Sequence, residues 1–215
     1  MKRLALLGAS GHGKVVADAA LSGDWDAVEF FDDDWPQRQL NGPWPVTGDS
    51  TMLRARLKEF QGVIVSIGDC TVRWSKHQAL SAAGAPLATV VHPEAIVSKY
   101  AVLGIGTVVM AGAILQIDTV VGQASIINTG ATVDHDCYLG DAVHICPGAH
   151  LSGSVRVGHG SWVGVGAAVK QGIAIGEQVM VGAGAVVVRA VPDRLTVVGN
   201  PAAHVSTCKT RTQSC

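Results

Sequence analysis

From Ala95 to Ala190 the chain divides without remainder into sixteen hexapeptides, and the third residue of every one is aliphatic. The first residue is small or β-branched throughout, and the fourth is glycine in seven of the sixteen, with Asn128 and Asp134 also there. A period of six held over 96 residues is the pattern of a solenoid, in which each repeat is one short strand plus one corner. The aliphatic residue points inward. The fourth position is expected to supply the left-handed backbone that turns the chain, a conformation that Asn and Asp tolerate. Three strands close one triangular coil, so sixteen repeats predict about five coils, stacked about 4.8 Å apart by parallel-strand hydrogen bonds.

Residues 1 to 90 follow a different grammar. Leu4 to Leu7 read as a short apolar strand, followed by glycines and a helix from Lys14 to Leu21. AVEFF (27–31) reads as a second strand ending in Asp32, Asp33 and Asp34, and GVIVSIG (62–68) as a third before a helical TVRWSKHQALSAAG. Short strands alternating with helices imply a small Rossmann-like parallel sheet. The expected organisation is therefore α/β plus β-solenoid: a Rossmann-like domain over 1–90, a parallel β-helix over 91–205, left-handed by its resemblance to the hexapeptide-repeat acyltransferases, and a flexible polar tail over 206–215.

Composition narrows the chemistry. The formal net charge is −1 and there is no Lys/Arg block, so nothing invites nucleic acid or an anionic membrane surface. Five cysteines, odd in number and without CxxC spacing, suggest neither a disulfide framework nor a zinc knuckle. Reduced thiols and a cytoplasmic location follow as the expectation. The start MKRLALLGASGHGK has an apolar core of only about four residues, against roughly 7 to 15 for a secretory signal. No apolar stretch free of turn formers reaches the roughly 18 residues of a membrane span.

The glycines at 8, 11 and 13 after the first strand allow backbone N–H groups to approach a diphosphate, with the following helix directing its positive end at the phosphates. Their order is GxxGxG, which matches a dinucleotide fingerprint poorly and suits a nucleotide sugar equally well. GASGHGKVV (8–16), FFDDD, SIGD, HP at 92–93 and a final VVGNPAAHV, joined to the hexapeptide array, resemble the bacterial NeuD/PglD-type sugar acetyltransferases over almost the whole chain. The resemblance implies a homotrimer with active sites between subunits, the nucleotide-linked sugar on the N-terminal domain, acetyl-CoA on the β-helix, and a histidine base with an acidic neighbour. It assigns Gly11, His12, Gly13, Asp32, Asp33, Asp69 and Asn128 to the sugar nucleotide. It assigns His144, Gly153, Ala183, Gly199, Asn200 and Pro201 to the cofactor. No metal is expected.

The residues at one corner carry the reaction in this reading. In ATVDHD (131–136) Val133 is the inward residue, which leaves Asp134, His135 and Asp136 at the corner. One coil of 18 residues beyond His135 stands Gly153, whose missing side chain is expected to leave room for a ligand. A neutral histidine can take a proton from an acceptor amine or hydroxyl, and a carboxylate beside it can hold the tautomer, a combination worth roughly 10²- to 10⁴-fold. By the resemblance His135 is the base and Asp136 its partner; Asp134 is an alternative orienting group. His144, with Trp162 and Met180 one and two coils on, is expected to form a wall. Pro192 is expected to end the last coil.

The leading expectation is acetyl-CoA-dependent N-acetylation of a UDP-linked 4-amino-4,6-dideoxy sugar. O-acetylation of sialic acid or a related sugar is the close alternative. A gamma-carbonic-anhydrase-like metalloenzyme, with His135, His144 and His150 as candidate ligands, is a different class, as is a sugar-nucleotide sensor without turnover.

Overall fold

The computed structural model describes residues 1–205; the expected tail at 206–215, with Cys208 and Cys215, lies outside them. The N-terminal region is built on a three-stranded parallel sheet, β1 (Arg3–Leu7), β2 (Ala27–Phe31) and β5 (Gly62–Val65), in the order β2-β1-β5. Its connections carry α1 (Gly11–Ser22), the small hairpin β3 (Leu40–Asn41) and β4 (Trp44–Pro45), and α2 (Ser50–Ala55), while α3 (Cys70–Ala82) leads to the solenoid. Strands buried on both faces read as continuous apolar runs, and β1 shows why. Leu4 and Leu6 pack with α1 residues Val16 and Ala20 on one side, and Ala5 and Leu7 pack with Leu53, Phe60 and Leu80 on the other.

The helix after the glycine loop starts at Gly11, three residues before the Lys14 expected from the sequence, so Gly11, His12 and Gly13 form its first turn. Two of the loop glycines have packing reasons. Gly8 takes a positive φ of 116°, and a Cβ there would stand 2.5 Å from Ile67 Cγ1. At Gly13 a Cβ would meet the Gly8 carbonyl at 2.4 Å, whereas Gly11 faces open space.

The solenoid has three faces of two-residue strands. The first holds Val90–Val91, Val108–Val109, Ile126–Ile127, His144–Ile145, Trp162–Val163, Met180–Val181 and Thr196–Val198. The second runs from Ile96–Val97 to Val186–Val187, and the third from Val102–Leu103 to Ala174–Ile175, with Val191 adding a further bridge to Ile175. It therefore makes about six coils and not five, because strands outside the hexapeptide array, at Val90–Val91 and Thr196–Val198, extend the stack at both ends. Pro192 does not end the last coil: the chain rejoins the first face beside Met180–Val181 and then folds back as the antiparallel strand Ala203–His204.

The third-position residues line one continuous core, with Leu115, Val133, Leu151 and Val169 stacked along the second face. First-position hydroxyls add a second layer, since Thr107, Thr119, Ser125 and Ser161 each donate to a carbonyl fifteen residues on. The corner conformation differs from the expectation. Positive φ falls on the sixth residue of each repeat, from Gly106 through Asp136 (59°) to Gly184, and not on the fourth. Fourth-position glycines serve close approach: a Cβ at Gly122 would stand 2.5 Å from Asp141 N and from Gly140 C in the next coil. Among the described residues no helix is long and apolar enough to cross a membrane.

The two halves share a core. Val90, Val108 and Met110 of the solenoid pack with Leu4, Val16 and Phe30. Helix α3 lies along the corner between the third and first faces and meets successive coils with one side: His77 against Gly106, Arg73 on the carbonyls of Ala124 and Ala142, and Cys70 beside Ser161. Residues 70, 73 and 77 recur at helical spacing, which places them on one stripe. Cys70, Cys137 and Cys146 are free and buried.

Candidate active site

The expected site residues fall into three groups. The first is the corner between the second and third faces. Asp136 occupies the left-handed position there (φ 59°), and that turn folds its carboxylate back on its neighbour, so His135 Nδ1 lies 2.7 Å from Asp136 Oδ2. Both side chains are more than half exposed. The Asp134 side chain makes no hydrogen bond to the imidazole, so of the two aspartates Asp136 is the one in contact. With Nδ1–H donating to the carboxylate, Nε2 carries the free lone pair. Gly153 does lie beside the corner, but the space it leaves is filled by the histidine itself: a Cβ at 153 would meet His135 Cε1 and Nε2 at 2.6 Å.

The second group surrounds the crevice outside the carboxyl ends of β1, β2 and β5, where ligands of such sheets bind. It is a space of about 290 Å³ lined by Gly8, Ser10, Asp32, Asp33, Arg38, Ile67 and Lys76, among others. Asp32 accepts from Ala9 N at 2.6 Å and from Asp34 N at 3.0 Å. Asp33 accepts from Ser50 and pairs with Lys76; burial pushes its carboxyl up, but the hydrogen bonds from Lys76 and Ser50 prevail and hold it at about 2. Asp69 caps α3 by accepting from Val72 N at 2.8 Å. Arg38 bonds the Ala9 carbonyl and Asp34 Oδ2, fastening the loop after β2 to the glycine turn.

The third group lies at the junction of the two halves. His144, outward on the first face, is only 4% exposed because the N-terminal domain covers it. Its Nδ1 lies 3.4 Å from the Gly68 carbonyl and its Nε2 3.2 Å from Asn128 Nδ2, which together define a neutral ring donating from Nδ1 and accepting at Nε2. Trp162 packs against it with ring centroids 4.0 Å apart, and His12 stands 6.1 Å away. Burial, then the charge of Arg73, then His12 push the His144 imidazole down to about 3, and burial with Arg73 pushes His12 down to about 4. His12 Nε2 is buried without a hydrogen-bond partner among the described residues. The wall expected from His144, Trp162 and Met180 is present as a register of adjacent strands, but His144 is locked inside it.

Ala183 and the turn Gly199–Pro201 occupy the corner between the first and second faces, in the last coils above Asn128. Within one chain, therefore, Asn128, His144 and the crevice loops are linked, while His135, Asp136 and Gly153 stand on a separate corner with no contact to the N-terminal domain. His150 pairs with Thr132 Oγ1 at 2.9 Å on the second face, so it converges with neither His135 nor His144, and no group of three or more His, Cys, Asp or Glu suited to a metal ion occurs among the described residues. Arg73, which follows the third strand where ligands of such sheets are contacted, is buried, and its partners are backbone carbonyls that the sequence does not reveal.

Residues 3–80 match the family described as the PglD N-terminal domain. No curated protein sequence matches the chain. Among solved structures, the acetyltransferase domain of PglB from Neisseria gonorrhoeae FA1090, in complex with acetyl coenzyme A, is 42% identical, with 95% of this chain and 99% of that chain covered and a TM-score of 0.91. Perosamine N-acetyltransferase from Caulobacter crescentus, solved with CoA and GDP-perosamine as a variant with a histidine replaced by asparagine, is 38% identical over 96% of this chain and 98% of its own, also with a TM-score of 0.91. WeeI from Acinetobacter baumannii AYE is 28% identical over 95% of this chain and 100% of its own, with a TM-score of 0.85. Solenoid, docked Rossmann-like domain and a match of 38–42% identity over nearly the whole chain converge, and the chain belongs to the NeuD/PglD-type sugar acetyltransferases.

Proposed function

We propose that this protein transfers the acetyl group of acetyl-CoA to the amine of a nucleotide-linked 4-amino-4,6-dideoxy sugar, with His135 as general base. The single observation that carries the reading is the 2.7 Å contact between His135 Nδ1 and Asp136 Oδ2, which leaves an exposed imidazole nitrogen free to take a proton. Acetyl-CoA supplies a thioester carbonyl as the acceptor of the amine lone pair. His135 takes the ammonium or amine proton at Nε2, and the Asp136 carboxylate holds the tautomer and stabilises the imidazolium that results. The proton leaves with the thiol, so a C–N bond replaces the C–S bond and charge balances.

The residues present suit the cofactor. Among the described residues the Gly153 N–H has no hydrogen-bond acceptor, which makes it a donor for negative charge developing on the carbonyl oxygen. Ala183, exposed on its corner, and the Gly199–Pro201 turn offer backbone to the rest of the cofactor. The sugar nucleotide is assigned to the crevice, where the start of α1 and the cations of Arg38 and Lys76 suit a diphosphate. UDP is the nucleotide that the family resemblance implies; the perosamine relative, solved with GDP-perosamine, makes GDP the comparator.

Because His135 stands away from the crevice of its own chain, a complete site needs a second copy, and a homotrimer is the assembly proposed. Val102, Val120 and Tyr138 support it, since they stack in register on the third face beside the His135 corner and are all exposed. Light scattering tests this: a trimer is expected, and a monomer would leave the site incomplete.

The deciding experiment follows thiol release from acetyl-CoA with UDP- and GDP-linked amino sugars and with sialic acids. Release with amino sugars supports the proposal. Release with hydroxyl acceptors alone would assign O-acetylation, and binding without release would assign a sensor.

A further inference from the structure

Arg73 is 1% exposed and forms no ion pair with a carboxylate among the described residues. Every donor of its guanidinium is directed at the backbone or at sulfur. Nη1 bonds the carbonyls of Ile67 at 2.9 Å and Gly68 at 2.6 Å, both in the loop between β5 and α3. Nε bonds the carbonyl of Ala124 at 2.6 Å and Nη2 that of Ala142 at 2.8 Å, with Cys70 Sγ at 3.5 Å. Ala124 and Ala142 are sixth-position residues of adjacent coils, both with positive φ. One planar cation thus ties a loop of the N-terminal domain to two coils of the solenoid, a task for which the fork of five N–H donors suits arginine and the single ammonium of lysine does not.

The loop it holds belongs to the sugar site. Ile67 lines the crevice and packs so closely on Gly8 that no Cβ fits there. Gly68 presents its one carbonyl to Arg73 and to His144, and His144 in turn holds Asn128. A charge buried this deeply costs several kcal/mol unless its hydrogen bonds are satisfied, so the arrangement persists only while loop and coils stay in register.

We propose that Arg73 is a positioning residue for the sugar nucleotide: it fixes the β5–α3 loop, and through Gly68 and His144 also Asn128, at the set of the crevice against the solenoid. Its influence falls on the sugar side of the reaction, because the His135 corner touches none of these groups. This rests on the acetyl-transfer reading for its kinetic test but not for its binding test.

The experiment compares the full-length wild type with Arg73→Lys, Arg73→Met and His144→Phe. With Arg73→Lys the KM for the amino-sugar nucleotide is expected to rise at least about 10-fold, since misplacement by about 1 Å can cost 10²-fold, while the KM for acetyl-CoA stays within about 2-fold. Hydrogen exchange at residues 66–72 should quicken with the solenoid amides unchanged. A lowered melting temperature with both KM values unaltered would overturn the proposal and leave Arg73 a purely structural bolt. Should neither Arg73 variant be soluble, His144→Phe keeps an aromatic ring and removes both hydrogen bonds; weaker binding of UDP and GDP in the absence of acetyl-CoA supports the proposal, and unaltered binding rejects it. If the wild type releases no thiol, the acetyl-transfer reading fails by itself, and titration calorimetry with UDP and GDP still decides the positioning role: weaker nucleotide binding by the variants supports it, and equal binding rejects it.

Discussion

The imidazole of His135 lies on Gly153, one coil above it, so closely that a single methyl at 153 would stand 2.6 Å from Cε1 and Nε2. Glycine at this position does not take a positive φ, so alanine is compatible with the backbone and differs only in the space it takes. Gly153→Ala is therefore expected to swing the exposed ring aside with little effect on folding. A fall in kcat of about 10- to 100-fold with an unchanged melting temperature is the expected outcome, in line with the cost of a misplaced catalytic group. Activity within about 2-fold of wild type would mean that the ring position seen here is not the working one.

Removal of the base tests the assignment directly. His135→Ala should lower kcat for thiol release at least about 100-fold, the lower end of general-base contributions, and leave nucleotide binding by calorimetry as it was. Retention of more than about a tenth of the activity would place the base elsewhere.

Asp136→Asn separates orientation from charge. Asparagine tolerates the left-handed corner as aspartate does, and its amide oxygen still accepts from Nδ1, so geometry survives while stabilisation of the imidazolium is lost. The expected result is a decrease in kcat smaller than that of His135→Ala but at least about 10-fold, with both KM values within about 2-fold of wild type. An unchanged kcat would show that the carboxylate does no more than hold the ring in place.

The buried histidines make the fold acid-sensitive in a definite window. His144 and His12 are held down at about 3 and about 4 from an ordinary value near 6.5, so between those limits the unfolded chain binds protons that the folded chain refuses. Stability then rises with pH across this range; it is complete above about pH 6.5 and is lost as pH falls toward 3 to 4. Asp33 contributes only lower, below its ordinary value of 3.8 and down to about 2. Urea midpoints from pH 8 to 4 should decline, and His144→Phe should flatten the decline. A flat wild-type profile would contradict the neutral, buried state of these rings.

The inward residues of the solenoid were readable from the period alone, and so was the exposure of the His135 corner, because Val133 and Cys137 keep their inward places on either side of it. The coil count was not, since Val90–Val91 and Thr196–Val198 pair by backbone hydrogen bonds that leave no hexapeptide signature. His144 read as a surface wall residue because an outward position on a strand says nothing about a domain that later covers it. Arg73 follows the third strand, where sheet topology places ligand contacts, but its partners were hidden for a related reason: they are carbonyls of Ala124 and Ala142, 51 and 69 residues away, and a carbonyl has no residue type. The hydrogen bond between Asp136 and His135 depends on the left-handed corner at 136, which the repeat suggested for the fourth position instead of the sixth.

That last correction divides the glycines into two kinds with opposite tolerance. Gly130, a sixth-position residue with φ 65°, has nothing within 4 Å of where its Cβ would be, whereas Gly122, a fourth-position residue, would bring a Cβ to 2.5 Å from Asp141 N and Gly140 C. Asparagine at 130 meets only a backbone preference it can satisfy, and Asp136 already adopts that conformation at the next corner of the chain. Gly130→Asn is expected to change stability by less than about 1 kcal/mol. Gly122→Ala must push apart two coils whose spacing is fixed by parallel-strand hydrogen bonds on all faces, and overpacking of this kind costs about 1 to 3 kcal/mol. Thermal unfolding of the two variants side by side checks the distinction: equal losses would show that close approach between coils is not what requires glycine at the fourth position.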